Sequence, residues 1–289
     1  MKMRLFASAG EGYNSAIGTG GRIWPWGNSE HHQFVEENTD SRSTPMQLES
    51  SLILDSVSVG MCVAAIDKDG LLWVCQCSSD DPFCNDIADK YRGRINIEHP
   101  DGKKWKSVSA GGCCIAAIDE NGVFWAIGKD GFDQRGNTME VKTDMIVKIR
   151  YLAGEKWKLV SAGTDYIVAI AEDGSLWYTE SCAEDYTTAR LEEGTDWVSV
   201  HTGSGHTVAV KRDGSIWSNR GSYLDISVAV RGDGTLWAWK STETTQGSIG
   251  PNKTTCVKIE HPGKRAWKSV SGEGYCTLAI DEDGALWSI

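Results

Sequence analysis

The chain lacks several features that mark particular protein classes. No apolar run approaches the ~18 residues of a membrane-spanning helix, and the apolar stretch near the N-terminus is too short for a signal peptide. The 29 Lys and Arg residues are scattered among 40 Asp and Glu residues, so no basic cluster is present to release counterions from a nucleic acid. We therefore expect no membrane and no nucleic-acid partner, and a cytoplasmic or nuclear protein that is not secreted.

Motifs for metal binding and catalysis are also missing. The nine cysteines are odd in number and follow no disulfide pattern, which favours a reducing compartment. Cys75, Cys77 and Cys84 lack the C-x2-C spacing of structural zinc sites. No phosphate-binding loop, dinucleotide fingerprint, GxSxG or HExxH motif occurs. We expect no metal, no cofactor and no catalytic residue, and thus a protein that is not an enzyme.

What the sequence does contain is a repeat, clearest in residues 105–128, WKSVSAGGCCIAAIDENGVFWAIG. A polar turn ends in a glycine, and a tryptophan follows that glycine by three residues. Such a glycine supplies the positive φ that a tight hairpin needs. The turn glycines are Gly21, Gly70, Gly122, Gly174, Gly214, Gly234 and Gly284.

Each unit predicts three short strands around two turns, and a short run of alternating apolar residues ahead of the unit predicts a fourth. These runs are 46–48, 95–97, 147–149, 189–191 and 257–259. Four strands per ~50 residues is the periodicity of a β-propeller. We predict an all-β fold in which residues 1–289 form a single seven-unit propeller domain, with six full blades plus a partial one as the alternative.

Two irregularities interrupt the pattern. Gly214 and Gly234 lie only 20 residues apart, so either unit six keeps only inner strands or units five and six merge. The chain also begins inside a unit, which leaves unit one without the strand expected ahead of it. This predicts a ring that is incompletely sealed, or a chain that is a fragment of a longer one.

The units resemble the repeats of the regulator of chromosome condensation family. Unit five carries the likeness most fully, with Gly-Ser-Gly-His-Thr-Val-Ala-Val at 203–210, Asp213-Gly214 and Ile216-Trp217. The resemblance covers essentially the whole chain and implies a seven-bladed propeller. The family includes a nucleotide-exchange factor for a small GTPase, a plant light sensor and a bacterial inhibitor protein, so the fold alone does not define a function.

A non-enzymatic scaffold for protein–protein interaction is the function we predict first. The resemblance implies two alternatives, a guanine-nucleotide exchange factor for a small GTPase and a ligand- or light-sensing propeller. The expected partner is another protein, and on the first alternative a small GTPase. Long, irregular segments at 29–45, 78–94 and 130–144 are the expected binding loops.

One column of residues is a candidate binding site. It lies eight positions before the turn glycine, where a ring would place its members at similar height. A channel-mouth ring for a small ligand is the functional interpretation, and a packing position in each blade is the structural one. The candidate residues are Tyr13, Cys62, Cys114, Tyr166, His206 and Cys276.

Two Glu-His-Pro sequences recur at the same repeat position, with His99 and His261 at their centres. Recurrence in two units indicates a shared turn geometry rather than a unique catalytic histidine.

Overall fold

The computed structural model describes residues 6–10, 13–27, 44–45, 47, 52–60, 62–75, 94–112, 114–128, 146–148, 156–164, 166–180, 188–203, 207–219, 226–240, 255–273 and 276–289. Within these residues there is no helix, and the strands form seven antiparallel sheets. The all-β propeller prediction is confirmed.

Each sheet is one blade, and its strands follow one another in chain order. Blade one contains β1 (Phe6–Ala9), β2 (Tyr13–Ile17) and β3 (Ile23–Gly27). Blade two contains β4 (Leu54–Val59), β5 (Val63–Asp67), β6 (Leu72–Cys75) and β7 (Arg94–Ile97). Blade three contains β8 (Trp105–Ala110), β9 (Cys114–Asp119), β10 (Phe124–Gly128) and β11 (Ile146–Lys148). Blade four contains β12 (Trp157–Ala162), β13 (Tyr166–Ala171), β14 (Leu176–Glu180) and β15 (Thr188–Glu192).

The last three blades each have three strands among the described residues. Blade five contains β16 (Trp197–Thr202), β17 (Thr207–Lys211) and β18 (Ile216–Asn219). Blade six contains β19 (Ile226–Val230), β20 (Leu236–Lys240) and β21 (Thr255–Ile259). Blade seven contains β22 (Trp267–Glu273), β23 (Cys276–Asp281) and β24 (Leu286–Ser288).

The placement of the fourth strand differs from the sequence prediction. The run at 95–97, expected ahead of the unit containing Trp105, instead pairs with β6 as the outer strand of the preceding blade. β11, β15 and β21 pair with β10, β14 and β20 in the same way. The prediction was wrong because periodicity gives the spacing of strands but not the sheet that a strand joins.

The assignment of each fourth strand to the preceding blade changes the interpretation of the 20-residue interval between Gly214 and Gly234. Blade five has its inner three strands, and blade six has the strands that correspond to positions two, three and four. The described residues therefore omit the fourth strand of blade five and the first strand of blade six, rather than only the outer strands of unit six. Residues 220–225, between β18 and β19, lie outside the described residues.

The first strands form the inner wall. β1, β4, β8, β12 and β16 contact one another in succession, and β22 contacts β1. A serine in each of several first strands accepts a backbone hydrogen bond from the first strand of the next blade; for example, Ala110 N–H donates to Ser58 Oγ at 2.9 Å. The same bond joins the last blade to the first, where Ala9 N–H donates to Ser271 Oγ at 3.1 Å. Blades seven and one thus meet through the contact that other blades use.

The hydrophobic core lies between neighbouring blades. Second strands such as β5 are buried along their whole length because both of their faces meet another sheet. Ala64 and Ile66 of β5 pack with Ile115 and Ala117 of β9. Small and β-branched residues suit this position, since they fill the narrow space between two sheets.

Glycines follow the first strands where blades approach most closely. A β-carbon on Gly60 would lie 2.6 Å from the carbonyl oxygen of Ala110 and 2.7 Å from that of Gly111. A β-carbon on Gly163 would lie 2.9 Å from the carbonyl oxygen of Gly203. Since the colliding atoms belong to the backbone, a side chain there requires the blades to separate.

We predict that Gly60→Ala destabilises the protein by about 1–3 kcal/mol, because the added methyl group overpacks a backbone contact. Gly232→Ala is the matched control, since a β-carbon on Gly232 meets nothing within 4 Å, and its effect should stay within about 0.5 kcal/mol. Urea unfolding followed by tryptophan fluorescence measures both. Equal stability of the two variants would contradict the close-approach argument.

Candidate binding surface

The strand order gives the ring two different faces. Strands alternate in direction, so the turn from the first to the second strand and the connection from the third to the fourth lie at the same end of a blade. We call this end the glycine face, defined by Gly10, Gly60, Gly111 and Gly163. The opposite end is the hairpin face, defined by the turn glycines Gly70, Gly122, Gly174, Gly214, Gly234 and Gly284.

The candidate column lies at the glycine-face end of the second strands. Two of its members point toward the next blade: Tyr13 packs with Val57 and Val59 of blade two, and Cys62 packs in the core between blades two and three. Both side chains are buried, with 7% and 4% exposure.

Tyr166 makes the corresponding contact between blades four and five. Its hydroxyl oxygen accepts a hydrogen bond of 3.2 Å from Thr207 Oγ1, and its ring lies 6.1 Å from that of Tyr178. The described members of the column therefore hold neighbouring blades together at the glycine face.

The remaining candidates are less completely described. Cys114 and Cys276 begin β9 and β23, which places their backbones at the same level as Tyr166. His206 lies outside the described residues. A ligand-binding role for the column stays a prediction.

The strands that precede the expected binding loops end at the glycine face. Segments 29–45 and 78–94 follow β3 and β6, and 130–144 lies between β10 and β11; apart from residues 44, 45 and 94, these segments lie outside the described residues. The strands that bound them show that they leave the same end of the ring as the candidate column.

The hairpin face is built from a repeated internal network. In blade three, Asp119 Oδ1 accepts the backbone N–H groups of Asn121 and Val123, each at 2.9 Å. Asp119 Oδ2 accepts Trp125 Nε1–H at 3.2 Å. The carboxylate thus closes the turn and satisfies the buried indole.

His99 completes this network. Its Nδ1 accepts the backbone N–H of Asp101 at 3.0 Å, so Nε2 carries the proton and donates to Asp119 Oδ2 at 3.3 Å. The ring packs 4.6 Å from Trp105 and 4.7 Å from Trp125. Both ring nitrogens serve the fold, which explains the recurrence of the Glu-His-Pro sequence.

Blade seven repeats the arrangement with His261, Asp281 and Trp287. Asp281 is fully buried. Burial raises the pKa of this carboxyl group, but the hydrogen bonds that its carboxylate accepts, from Ala285 N–H first and then from Trp287, outweigh burial and lower the pKa to about 2. Asp281 is therefore ionised at neutral pH and serves the fold as a hydrogen-bond acceptor.

Blades four and six satisfy the same indole differently. Ser175 Oγ accepts Trp177 Nε1–H at 2.7 Å and donates to Asp173, and Thr235 plays this role for Trp237. The hydrogen bond from Ser175 lowers the pKa of Asp173. In blade six, the position that holds Asp119 in blade three is occupied by Arg231.

Among the described residues, no three His, Cys, Asp or Glu side chains are arranged to hold a metal ion. The same residues include no helix long and apolar enough to cross a membrane.

Solved structures share this arrangement of blades. Yeast RCC1 (Prp20), solved bound to Kap60, is 17% identical with a TM-score of 0.60 over 98% of this chain and 68% of its own. Human WBSCR16 is 16% identical with a TM-score of 0.58 over 71% of this chain, and the match spans 57% of the WBSCR16 chain. The chain folds as an RCC1-type propeller. The CRINKLY WD40 ectodomain of the Arabidopsis thaliana receptor kinase ACR4 is 11% identical with a TM-score of 0.53, over 98% of this chain and 94% of its own.

No protein-family sequence model and no curated protein sequence matches the chain. At identities of 11–17% the likeness concerns the fold of RCC1-type propellers and leaves function to the surface of this chain.

The 20-residue interval between Gly214 and Gly234 indicated an irregular joint between blades five and six, but the sequence did not show which strands are involved. Among the described residues, the core of this joint is small, with Val208, Val210 and Ala229 as its buried members. The position that holds Asp67, Asp119 and Asp281 in blades two, three and seven holds the basic residues Lys211 and Arg231 in blades five and six.

We predict that Asp281→Ala destabilises the protein by about 2–4 kcal/mol, because it removes a fully buried carboxylate that accepts hydrogen bonds from Ala285 N–H and from the partly buried Trp287 indole. Asp283→Ala is the matched control, since Asp283 is exposed and contacts Arg265 only at the surface, and its effect should stay below about 1 kcal/mol. Thermal unfolding by circular dichroism measures both. Similar losses in the two variants would argue against the buried network.

The lowered pKa of Asp281 predicts an acid-sensitive contribution to stability. The folded-state pKa of about 2 lies below the ordinary aspartate value of 3.8, so this contribution is present above about pH 4 and is lost as the pH falls toward 2. Asp281→Asn removes the titrating group, so stability measured by urea unfolding should fall less steeply between pH 4 and 2 than in the wild type. Parallel pH profiles would contradict the assignment.

Proposed function

We propose that the protein is a non-enzymatic scaffold that binds another protein on its glycine face. The observation that carries this proposal is the difference between the two faces. The hairpin face repeats turns whose carboxylates and indoles are used internally. The segments of greatest length and irregularity all leave from the glycine face, where sequence variation does not disturb the blades.

The negative net charge of the chain favours a partner that has a basic surface. The chain has a net charge of −11 and a pI near 5.1. Such a surface attracts cationic partners and accelerates their encounter at low ionic strength. Yeast Prp20 has been studied for its binding to Gsp1p and histones, which is consistent with a partner-binding role for this fold.

Replacing the three loops, 29–45, 78–94 and 130–144, by short Gly/Ser turns should abolish capture of the partner. Affinity capture from extracts of the source cells, with mass spectrometry, identifies that partner and measures its loss. Lys103→Ala and Asp283→Ala on the hairpin face are controls and should retain it. Capture that survives replacement of all three loops would overturn the proposal.

Guanine-nucleotide exchange is the second candidate, supported by the family resemblance. Its test is the release of fluorescent GDP from purified small GTPases, with and without the protein. No acceleration of release would remove this candidate while leaving the scaffold proposal in place.

A further inference from the structure

Four blades show what this protein places at the fourth-strand position. β7, β11, β15 and β21 all run antiparallel to the third strand. Their sequences alternate in one way, with apolar residues on both sides of a polar or basic residue that stands opposite the third-strand tryptophan. The central residues are Asn96, Lys148, Arg190 and Lys258.

In blade five, nothing among the described residues pairs with the outer edge of β18. Lys211 N–H donates to the carbonyl oxygen of Ser215, which sets the hydrogen-bonding register between β17 and β18. By the alternation of an antiparallel ladder, the backbone N–H and C=O groups of Ile216 and Ser218 point away from β17. These are the groups that pair with a fourth strand in the complete blades.

The side chain of Ile216 on this edge is also incompletely covered. Ile216 is half-buried, whereas its counterparts Leu72, Leu176 and Leu236 are all 0% exposed. In those blades a fourth strand lies beside the third. Ile216 of blade five and Trp237 of blade six lie against the small core of this joint. In complete blades, the apolar residues of the fourth strand face the same side.

A buried donor at the same joint has no partner among the described residues. Arg231 Nε is buried and makes no hydrogen bond, while its guanidinium lies 4.2 Å from the ring centroid of Trp237. Arg231 occupies the position of Asp119, whose strand partner is Trp105. Trp105 Nε1 donates to the carbonyl oxygen of Ile97 in the preceding fourth strand. In blade six, Arg231 therefore offers a donor close to the place where Trp105 donates in blade three.

A negative charge beside Trp217 favours a basic residue at the centre of any segment that pairs with β18. Trp217 Nε1–H donates to Glu192 Oε1 at 2.9 Å, which places a carboxylate beside the tryptophan that would face this residue. In blade four, the central Arg190 lies 6.0 Å from the ring centroid of Trp177. A lysine or arginine over Trp217 would meet both the indole and Glu192.

We propose that a partner protein adds an extended segment, antiparallel, to the outer edge of β18 and completes blade five. The segment carries an apolar–basic–apolar sequence, with its apolar residues paired with Ile216 and Ser218. Backbone hydrogen bonds supply affinity and the alternating side chains supply specificity. This inference rests on the proposed scaffold function and names the chemistry of its partner.

The probe is a fluorescein-labelled peptide, Thr-Ser-Val-Lys-Ile-Glu, which copies residues 255–260 with Cys256→Ser. Fluorescence anisotropy should rise saturably when the protein is added. N-methylation of the peptide valine should weaken binding at least about tenfold, because that amide pairs with the edge. N-methylation of the peptide lysine should change Kd less than about twofold, because that amide points away. Equal effects of the two methyl groups would overturn strand addition.

Variants of the protein locate the site. Ser218→Pro removes an outward N–H and should weaken binding at least about tenfold, whereas Ser218→Ala keeps the N–H and should bind as the wild type does. Arg231→Met should weaken binding about three- to tenfold through loss of the buried donor. Circular dichroism checks that each variant is folded, and the N-methylated peptides test the same contact in the unaltered protein.

β24 provides the matched control edge, since it also lacks a fourth strand among the described residues. Ser288→Pro should leave binding at β18 intact. Loss of binding in Ser288→Pro but not in Ser218→Pro would overturn the proposal. A dimer that Ser218→Pro dissociates would show that a second copy occupies the edge, which would overturn it as well.

Affinity capture with the two proline variants tests strand addition separately from the proposed scaffold function. Loss of that partner in Ser218→Pro, with retention in Ser288→Pro, is the expected result. Retention in both variants would overturn strand addition and leave the scaffold function in place. Absence of any protein partner for the wild type would overturn the scaffold function itself.

Discussion

The structure depends on the close approach of the first strands around the ring. Backbone meets backbone there, as Gly60 shows by leaving no space for a β-carbon between itself and Ala110. A serine hydroxyl such as that of Ser58 then accepts an amide from the next strand. Because the contact passes from blade one through blade five and from Ser271 of blade seven back to Ala9, these blades are positioned by their neighbours.

The side chains at the two ends of the ring have different structural roles. At the hairpin face, the indole N–H groups of Trp125 and Trp287 need acceptors, and Asp119 and Asp281 provide them. His99 and His261 contact the same carboxylates. A side chain committed to such a network is not available for a ligand, and our proposal therefore places recognition of another protein at the glycine face.

The joint between blades five and six departs from this regularity at two strand positions, the fourth of blade five and the first of blade six. In blade three, Trp105 donates its indole N–H to the carbonyl oxygen of Ile97 in the preceding fourth strand. At the joint between blades five and six the described residues include neither a fourth strand nor such a tryptophan, and Arg231 lies where the tryptophan would have its strand partner. A strand edge without a neighbour invites pairing with another chain, and we propose that β18 is recognised in this way.

The sequence by itself determined the repeat, the all-β class and the positions of the hairpins. Turn glycines and tryptophans at fixed spacing are local signals, and each follows from the backbone conformation or packing of a single unit. It also indicated that His99 and His261 are structural, because the same turn occurs twice. Only the tertiary structure decided which sheet residues 95–97 join, that Tyr13 and Cys62 face the next blade, and that Ile216 lies on an edge with which no described strand pairs. Strand pairing and burial between blades join residues far apart in the chain, and no local pattern specifies them.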